Sequence, residues 1–123
     1  MQNAQMNKYY SFRSDLKDLY KNDINANGDL ACKVLEIRDK NRCINSMEVS
    51  IQDGRIILEF DSKTPEKKRK NITSQISKSI SNFIYDNKDN IKDYDDFIDN
   101  IVKNGSSYCD IYTVGDEVTF GLF

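Results

Sequence analysis

The sequence predicts an α+β domain in which an antiparallel sheet of about five strands packs against helices, in the order α-βββ-αα-ββ. Two observations indicate strands, because the chain contains two hairpin signals, Asp53-Gly54 and Gly115-Asp116, each between runs of alternating apolar residues. A third observation indicates a covering helix, because one long segment carries its apolar residues on a single face. At a length of 123 residues, we expect one domain that spans residues 1–123.

The first predicted helix runs from about Met6 to Lys21, and aromatic side chains dominate its apolar stripe. This spacing favours packing against a core, and an aromatic docking face is the alternative. The polar stretch KNDINANGDL follows and predicts a connection. It has the spacing of the start of a calcium loop, but the twelfth position is Val34 instead of the bidentate glutamate, so we expect a plain turn.

The segment from Ala31 to Arg38 is ambiguous between strand and helix. The apolar residues of CKVLEIR fit a strand, yet together with Leu30 they also fit a helix that Asp29 would open. We favour the strand, because it would turn through residues 39–42 and continue into a three-stranded meander with the following hairpin.

A hairpin from Ser46 to Asp61 is predicted to close on a two-residue Asp53-Gly54 loop. In that register Ser50 opposes Ile57 and Glu48 opposes Glu59. We expect a neighbouring cation, instead of a metal, to offset these two carboxylates. One face then collects the apolar side chains of Met47, Val49, Ile51, Ile56, Leu58 and Phe60.

A long helix is predicted over about Pro65 to Tyr85, with Thr64 as its cap. Its apolar stripe should cover the sheet, and the first helix is the candidate to cover the other sheet face. The stripe consists of Ile72, Ile76, Ile80, Phe83 and Ile84. A second helix is predicted from about Asp89 to Lys103, with Gly105 as a left-handed cap.

The last segment predicts a hairpin on Gly115-Asp116, in which Val114 opposes Glu117 and Asp110 opposes Gly121. One face is core-like and consists of Cys109, Ile111, Thr113, Val118, Phe120 and Leu122. The other face is an aromatic surface that has the composition of an interface hot spot, and it consists of Tyr108, Asp110, Tyr112 and Phe123. Covering by the first helix would explain this surface equally well.

Two charged surfaces are further candidates for partner binding, and a solvated face is the plain alternative for each. The basic run lies near a helix start, where the macrodipole disfavours cations, and consists of Lys67, Lys68, Arg69 and Lys70. The acidic stripe recurs at spacings of three and four residues and consists of Asp86, Asp89, Asp93 and Asp96. Such a stripe can imitate the phosphate rows of a nucleic acid.

The sequence contains no histidine, which argues against catalytic triads, histidine-based nuclease sites and most metal sites. The three cysteines are far apart and lack C-x-x-C spacing, so we expect reduced, mostly buried thiols. We expect no cofactor and no metal. Because neither a leader-like N-terminus nor a membrane-spanning apolar run is present, we predict a cytoplasmic protein.

These observations predict a small non-enzymatic binding protein that inhibits or neutralises a macromolecular partner, such as a nucleic-acid-binding protein or a nucleoprotein. The richness in Asn, Lys, Ile and Asp is typical of AT-rich bacterial and phage genes, among which small anti-CRISPR inhibitors and toxin-immunity proteins occur. An anti-CRISPR-like inhibitor of a bacterial defence nuclease is the leading prediction, and a toxin-immunity protein is an alternative. A nucleic-acid-binding module that uses the basic run is another.

Overall fold

The computed structural model describes residues 16–21, 24–90 and 109–122, and it has the predicted α+β class. We call helical residues 16–21 α1. The other elements are α2 (Ile24–Lys40), β1 (Ile44–Ser50), β2 (Arg55–Phe60), α3 (Glu66–Asp86), a short 3-10 turn (Lys88–Asn90), β3 (Asp110–Val114) and β4 (Glu117–Gly121). The described sheet has four antiparallel strands in the order β1-β2-β4-β3, instead of about five.

The missing strand is helix α2, so the strand prediction for residues 31–38 is wrong and the helical alternative is right. Leu30 and Val34 lie one turn apart and are fully buried, and Ile37 packs against the same core. The helix also includes most of the predicted connection, since it begins at Ile24. The side-chain amide of buried Asn27 donates to the backbone carbonyl of Tyr20. This tertiary contact overrides the preference of Asn for turns.

The hairpin of β1 and β2 forms, but its register differs from the prediction by two residues. Ser50 pairs with Arg55 and Glu48 pairs with Ile57, so the loop has four residues instead of two. Ile51 lies in that loop and is 5% exposed, because the loop folds its side chain into the core. The N–H of Gly54 donates to the carbonyl of Ile51 at 3.0 Å, and Gly54 has a φ of 78°. A shift of two residues leaves every paired side chain on its predicted face.

The hairpin of β3 and β4 has the predicted register over five pairs, from Asp110 with Gly121 to Val114 with Glu117. Gly115 opens the two-residue loop with a φ of 61°, which glycine adopts without strain. The predicted core face is only half correct, however. Val118, Phe120 and Leu122 are buried, whereas Ile111 and Thr113 are exposed, and Thr113 borders a groove beside α3.

Helix α3 confirms the predicted helix to within one residue at each end. All five residues of its apolar stripe are buried in one cluster with the inner sheet face, the face that bears Ile56, Leu58 and Phe60. The predicted cap is wrong. Pro65 occupies the capping position, and the hydroxyl of buried Thr64 has no hydrogen-bond partner among the described residues.

The helices share one side of the sheet. Leu16, Leu19 and Tyr20 of α1 belong to the same core as α3, and the ring of Tyr20 stacks on that of Phe83 at 5.4 Å between centroids. Residues 16–21 therefore do not cover the second sheet face, contrary to the expectation for the first helix, and residues 6–15 of that predicted helix lie outside the described part of the chain. The predicted helix over residues 89–103 lies, beyond its first two residues, outside the described part of the chain.

None of the three cysteines is joined to another in a disulfide. Their predicted burial is wrong, because Cys32 is exposed on α2 and Cys43 and Cys109 are only half-buried at the edge of the core.

Candidate protein-binding face

The second face of the sheet points away from helices α1, α2 and α3, and we call it the outer sheet face. The strand order and the registers arrange it in three rows of four residues, each row crossing β1, β2, β4 and β3. The first row is Ser50, Arg55, Gly121 and Asp110. The central row is Glu48, Ile57, Thr119 and Tyr112. The third row is Ser46, Glu59, Glu117 and Val114. None of these twelve residues is buried.

The centre of the outer sheet face is partly apolar. Ile57 and Thr119 are half-buried neighbours, and Tyr112 beside them is 58% exposed. The side chain of Val114, in the next row on the same strand, is 76% exposed. An exposed tyrosine next to aliphatic side chains is the usual composition of an energetic hot spot in a protein interface.

Carboxylates surround this centre. Glu48, Glu59, Asp110 and Glu117 all lie on the outer sheet face and are exposed. Arg55 is the only cation that residues 16–21, 24–90 and 109–122 place on this face, and its Nε lies 3.6 Å from the Oε2 of Glu48. Both side chains of that pair are about half exposed, so the ion pair contributes little to stability. The described residues of this face thus carry four carboxylates and one guanidinium.

Two of these carboxylates oppose each other across the sheet. The register pairs Glu59 with Glu117, so the predicted opposition of Glu48 and Glu59 is wrong, and Glu59 instead meets a like charge on β4. Neither carboxylate forms an ion pair with a described residue. Like charges on directly opposite strand residues are destabilising, by about 0.2–1 kcal/mol. The pair therefore does not serve the stability of the sheet.

Arg69 is much less exposed than the lysines of the predicted basic run. Its side chain is only 16% exposed, and its guanidinium lies 2.8 Å from the Asp116 carboxylate and 5.4 Å from the centre of the Phe60 ring. It donates at 3.0–3.5 Å to the backbone carbonyls of Asp61, Ser62, Thr64 and Gly115. The residue joins the start of α3 to the turn between β3 and β4. Lys67, Lys68 and Lys70 are exposed around it.

The remaining predicted site residues do not form one surface within the described part of the chain. Asp86 ends α3 and Asp89 lies in the following 3-10 turn, and both are exposed. Asp110 and Tyr112 lie on the outer sheet face, as described above. Tyr108, Phe123, Asp93 and Asp96 lie outside the described residues.

The sequence pattern did not mark Glu117 and Thr119 as candidate site residues, and it did not predict that Ile57 and Tyr112 lie in one row of the sheet. The alternation of each hairpin already assigns these residues to a non-core face. The alternation does not predict that β2 pairs with β4, and this pairing joins the two faces into one surface.

No protein-family model, no curated protein and no solved structure matches the chain. Among residues 16–21, 24–90 and 109–122, no helix has both the length and the apolar character needed to cross a membrane. The same residues contain no group of three acidic or cysteine side chains arranged to hold a metal ion.

Proposed function

We propose that this chain is a non-enzymatic binding protein that covers a basic surface of a macromolecular partner with its outer sheet face and thereby blocks that surface. The observation that carries the proposal is the arrangement of four carboxylates around Tyr112, Ile57 and Thr119 on an open face. The carboxylates attract a basic surface and accelerate association, while the tyrosine provides contact area that holds the complex together.

The opposition of Glu59 and Glu117 supports a role in binding. A sheet that only had to be stable would place a cation or a neutral residue at one of the two positions. A partner cation inserted between them would relieve their repulsion, so the pair becomes favourable only in the complex. Basic surfaces that bind nucleic acid have the matching chemistry, since they use Lys and Arg to contact phosphates. Bacterial defence nucleases and nuclease toxins both present such a surface.

The first experiment removes the tyrosine. The wild-type chain and Tyr112→Ala are immobilised and exposed to a bacterial lysate, and each captured protein is purified and titrated against both chains. We expect a single basic protein whose affinity falls at least about 30-fold in Tyr112→Ala, which corresponds to a hot spot of about 2 kcal/mol. The melting temperature should stay nearly unchanged, because Tyr112 is 58% exposed. A large fall in melting temperature would instead assign the side chain to the core.

A second pair of variants separates binding from stability. The double variant Glu59→Gln, Glu117→Gln removes the repulsion, so it should be slightly more stable than the wild type and yet bind the captured partner more slowly at low salt. Glu36→Gln is the matched control, because it removes an exposed carboxylate from α2 instead of the sheet. The proposal fails if the captured partner binds all these variants equally. It also fails if the chain binds DNA or RNA with a steep salt dependence that requires Lys67, Lys68 and Lys70.

A further inference from the structure

Strand β3 is an edge strand with an unusual surface. It carries all the large apolar side chains that are exposed in the described residues, with Ile111 at 41%, Tyr112 at 58% and Val114 at 76%. In the described part of the chain, no strand pairs with its free edge. Its five residues include no lysine, no proline and no bulge, which are the features that normally prevent an edge strand from pairing with another chain.

The opposite edge of the same sheet is protected. Strand β1 contains a register irregularity between Ile44 and Ser46, which is one of the features that discourage edge pairing. Its exposed positions are polar, with Asn45, Ser46 and Glu48. Among the described residues, the two edges of the sheet therefore differ in the features that discourage pairing with another strand.

The hydrogen bonds of β4 define which backbone groups of β3 are free. The backbone carbonyl of Asp116 accepts from the N–H of Phe60, and the N–H of Leu122 donates to the carbonyl of Gly54, both at 2.8 Å. The even-numbered residues from Asp116 to Leu122 therefore direct their backbone N–H and C=O groups towards β2. The odd-numbered residues of β4 bond towards β3, where their partners are Asp110, Tyr112 and Val114. The N–H and C=O groups of Ile111 and Thr113 therefore point to the free edge.

We propose that this edge pairs with β3 of a second copy of the chain, antiparallel and about a two-fold axis at Tyr112. Ile111 then lies opposite Thr113 of the second copy, and each such pair exchanges two hydrogen bonds through the outward backbone groups. Tyr112 lies opposite Tyr112 of the second copy as a pair without hydrogen bonds between its backbones, the type with the closest side chains. The two four-stranded sheets become one continuous sheet.

The strand is complementary to itself in this register. Asp110 lies opposite Val114 of the second copy, so no like charges face each other. The two tyrosine rings meet as an aromatic cross-strand pair, which is favourable, and both remain on the outer sheet face. On the inner side, Thr113 of β3 borders a groove of about 420 Å³ that Lys70 and Thr73 of α3 also line.

This dimer is independent of the proposed function, although it would present two outer sheet faces side by side. The pairing involves few residues, so we expect a weak dimer that dissociates on dilution. Sedimentation velocity on the full chain should show a shift from one mass of 14.3 kDa towards twice that mass as the concentration rises. A single 14.3 kDa species up to about 1 mM overturns the proposal.

Two variants of one residue test the edge. Thr113→Pro removes only an outward N–H and should give a folded monomer, since proline is tolerated where the N–H of an edge strand faces away from its neighbour. Thr113→Val is the matched control, because it keeps the N–H and the branched side chain, and it should dimerise like the wild type. A Thr113→Pro chain that still dimerises overturns the proposal. The Glu59→Gln, Glu117→Gln variant should dimerise normally, which separates this inference from the proposed function.

A cross-linking experiment tests the register. With oxidised glutathione as the electron acceptor, Tyr112→Cys should form a disulfide between the two copies, because Cα atoms of such a pair lie about 4.5 Å apart. In Val114→Cys the two new thiols would be separated by four residues along the strand, about 14 Å, which is too far for a bond. Mass spectrometry of the unreduced digest should find the bond at residue 112 and none at residue 114. Equal cross-linking at both positions, or none at residue 112, overturns the proposed pairing.

Discussion

Replacing Arg69 with alanine should cost the protein about 3 kcal/mol of unfolding free energy. The side chain is 16% exposed, and its guanidinium lies 2.8 Å from the carboxylate of Asp116. A charge-assisted hydrogen bond contributes about 1.5–3 kcal/mol, and the 41% exposure of Asp116 reduces the ion-pair part of that through solvent screening. The contact with the Phe60 ring adds about 0.5–1 kcal/mol. The loop carbonyls that Arg69 also binds are left to water.

Urea denaturation followed by circular dichroism measures this loss, provided that the slope of the transition is unchanged. Lys68→Ala is the matched control, because it removes an exposed neighbouring cation and should change stability by less than about 0.5 kcal/mol. Arg69→Lys should lose most of the same energy, since an ammonium group keeps the charge but cannot make the forked contacts. An Arg69→Ala protein as stable as Lys68→Ala would refute the structural role of the guanidinium.

Two further predictions concern stability. Thr64→Val should raise the unfolding free energy by about 1 kcal/mol, because it removes a buried hydroxyl that has no hydrogen-bond partner among the described residues and keeps the shape of the side chain. A less stable variant in thermal melts would mean that the hydroxyl is bonded in solution. Gly28→Ala and Gly115→Ala form a matched pair, since neither added Cβ would meet another atom within 4 Å. The first should stabilise helix α2 by about 0.5–1 kcal/mol, and the second should destabilise by about 1–2 kcal/mol because Gly115 has a φ of 61°. Changes of the same sign in urea titrations would contradict this reasoning.

The two hairpins differ in how far their sequences predict them. Gly115-Asp116 suits only a short loop between its alternating strands, and the predicted register is the observed one. Any shift of the strand register by an even number of residues keeps the alternation around Asp53-Gly54. The alternation therefore cannot distinguish a two-residue loop from a four-residue loop. The burial of Ile51 decides between them, and that burial depends on the whole core.

Helix α2 shows that apolar periodicity cannot predict the secondary structure of a segment that fits both the strand period and the helix period. Val34 and Ile37 fit a strand and a helix almost equally well, and the local sequence contains turn-forming residues. The hydrogen bond from Asn27 to Tyr20 of α1 favours the helix, and both residues lie outside the ambiguous segment 31–38. The candidate binding face could likewise be predicted only in part. The alternation in each hairpin predicts the polar side of that hairpin, but only the pairing of β2 with β4 joins the two polar sides into one surface.

The order of the strands also governs when the domain can fold during its synthesis. Strand β4 follows β3 in the chain but lies between β2 and β3 in the sheet. During synthesis on the ribosome, β2 therefore cannot pair with β4 until residue 121 has left the exit tunnel. Until then, Arg69 of α3 also lacks its ion pair with Asp116. Folding is delayed until the β3–β4 hairpin emerges, and a translational pause after α3 would expose the edge of β2 to other nascent chains.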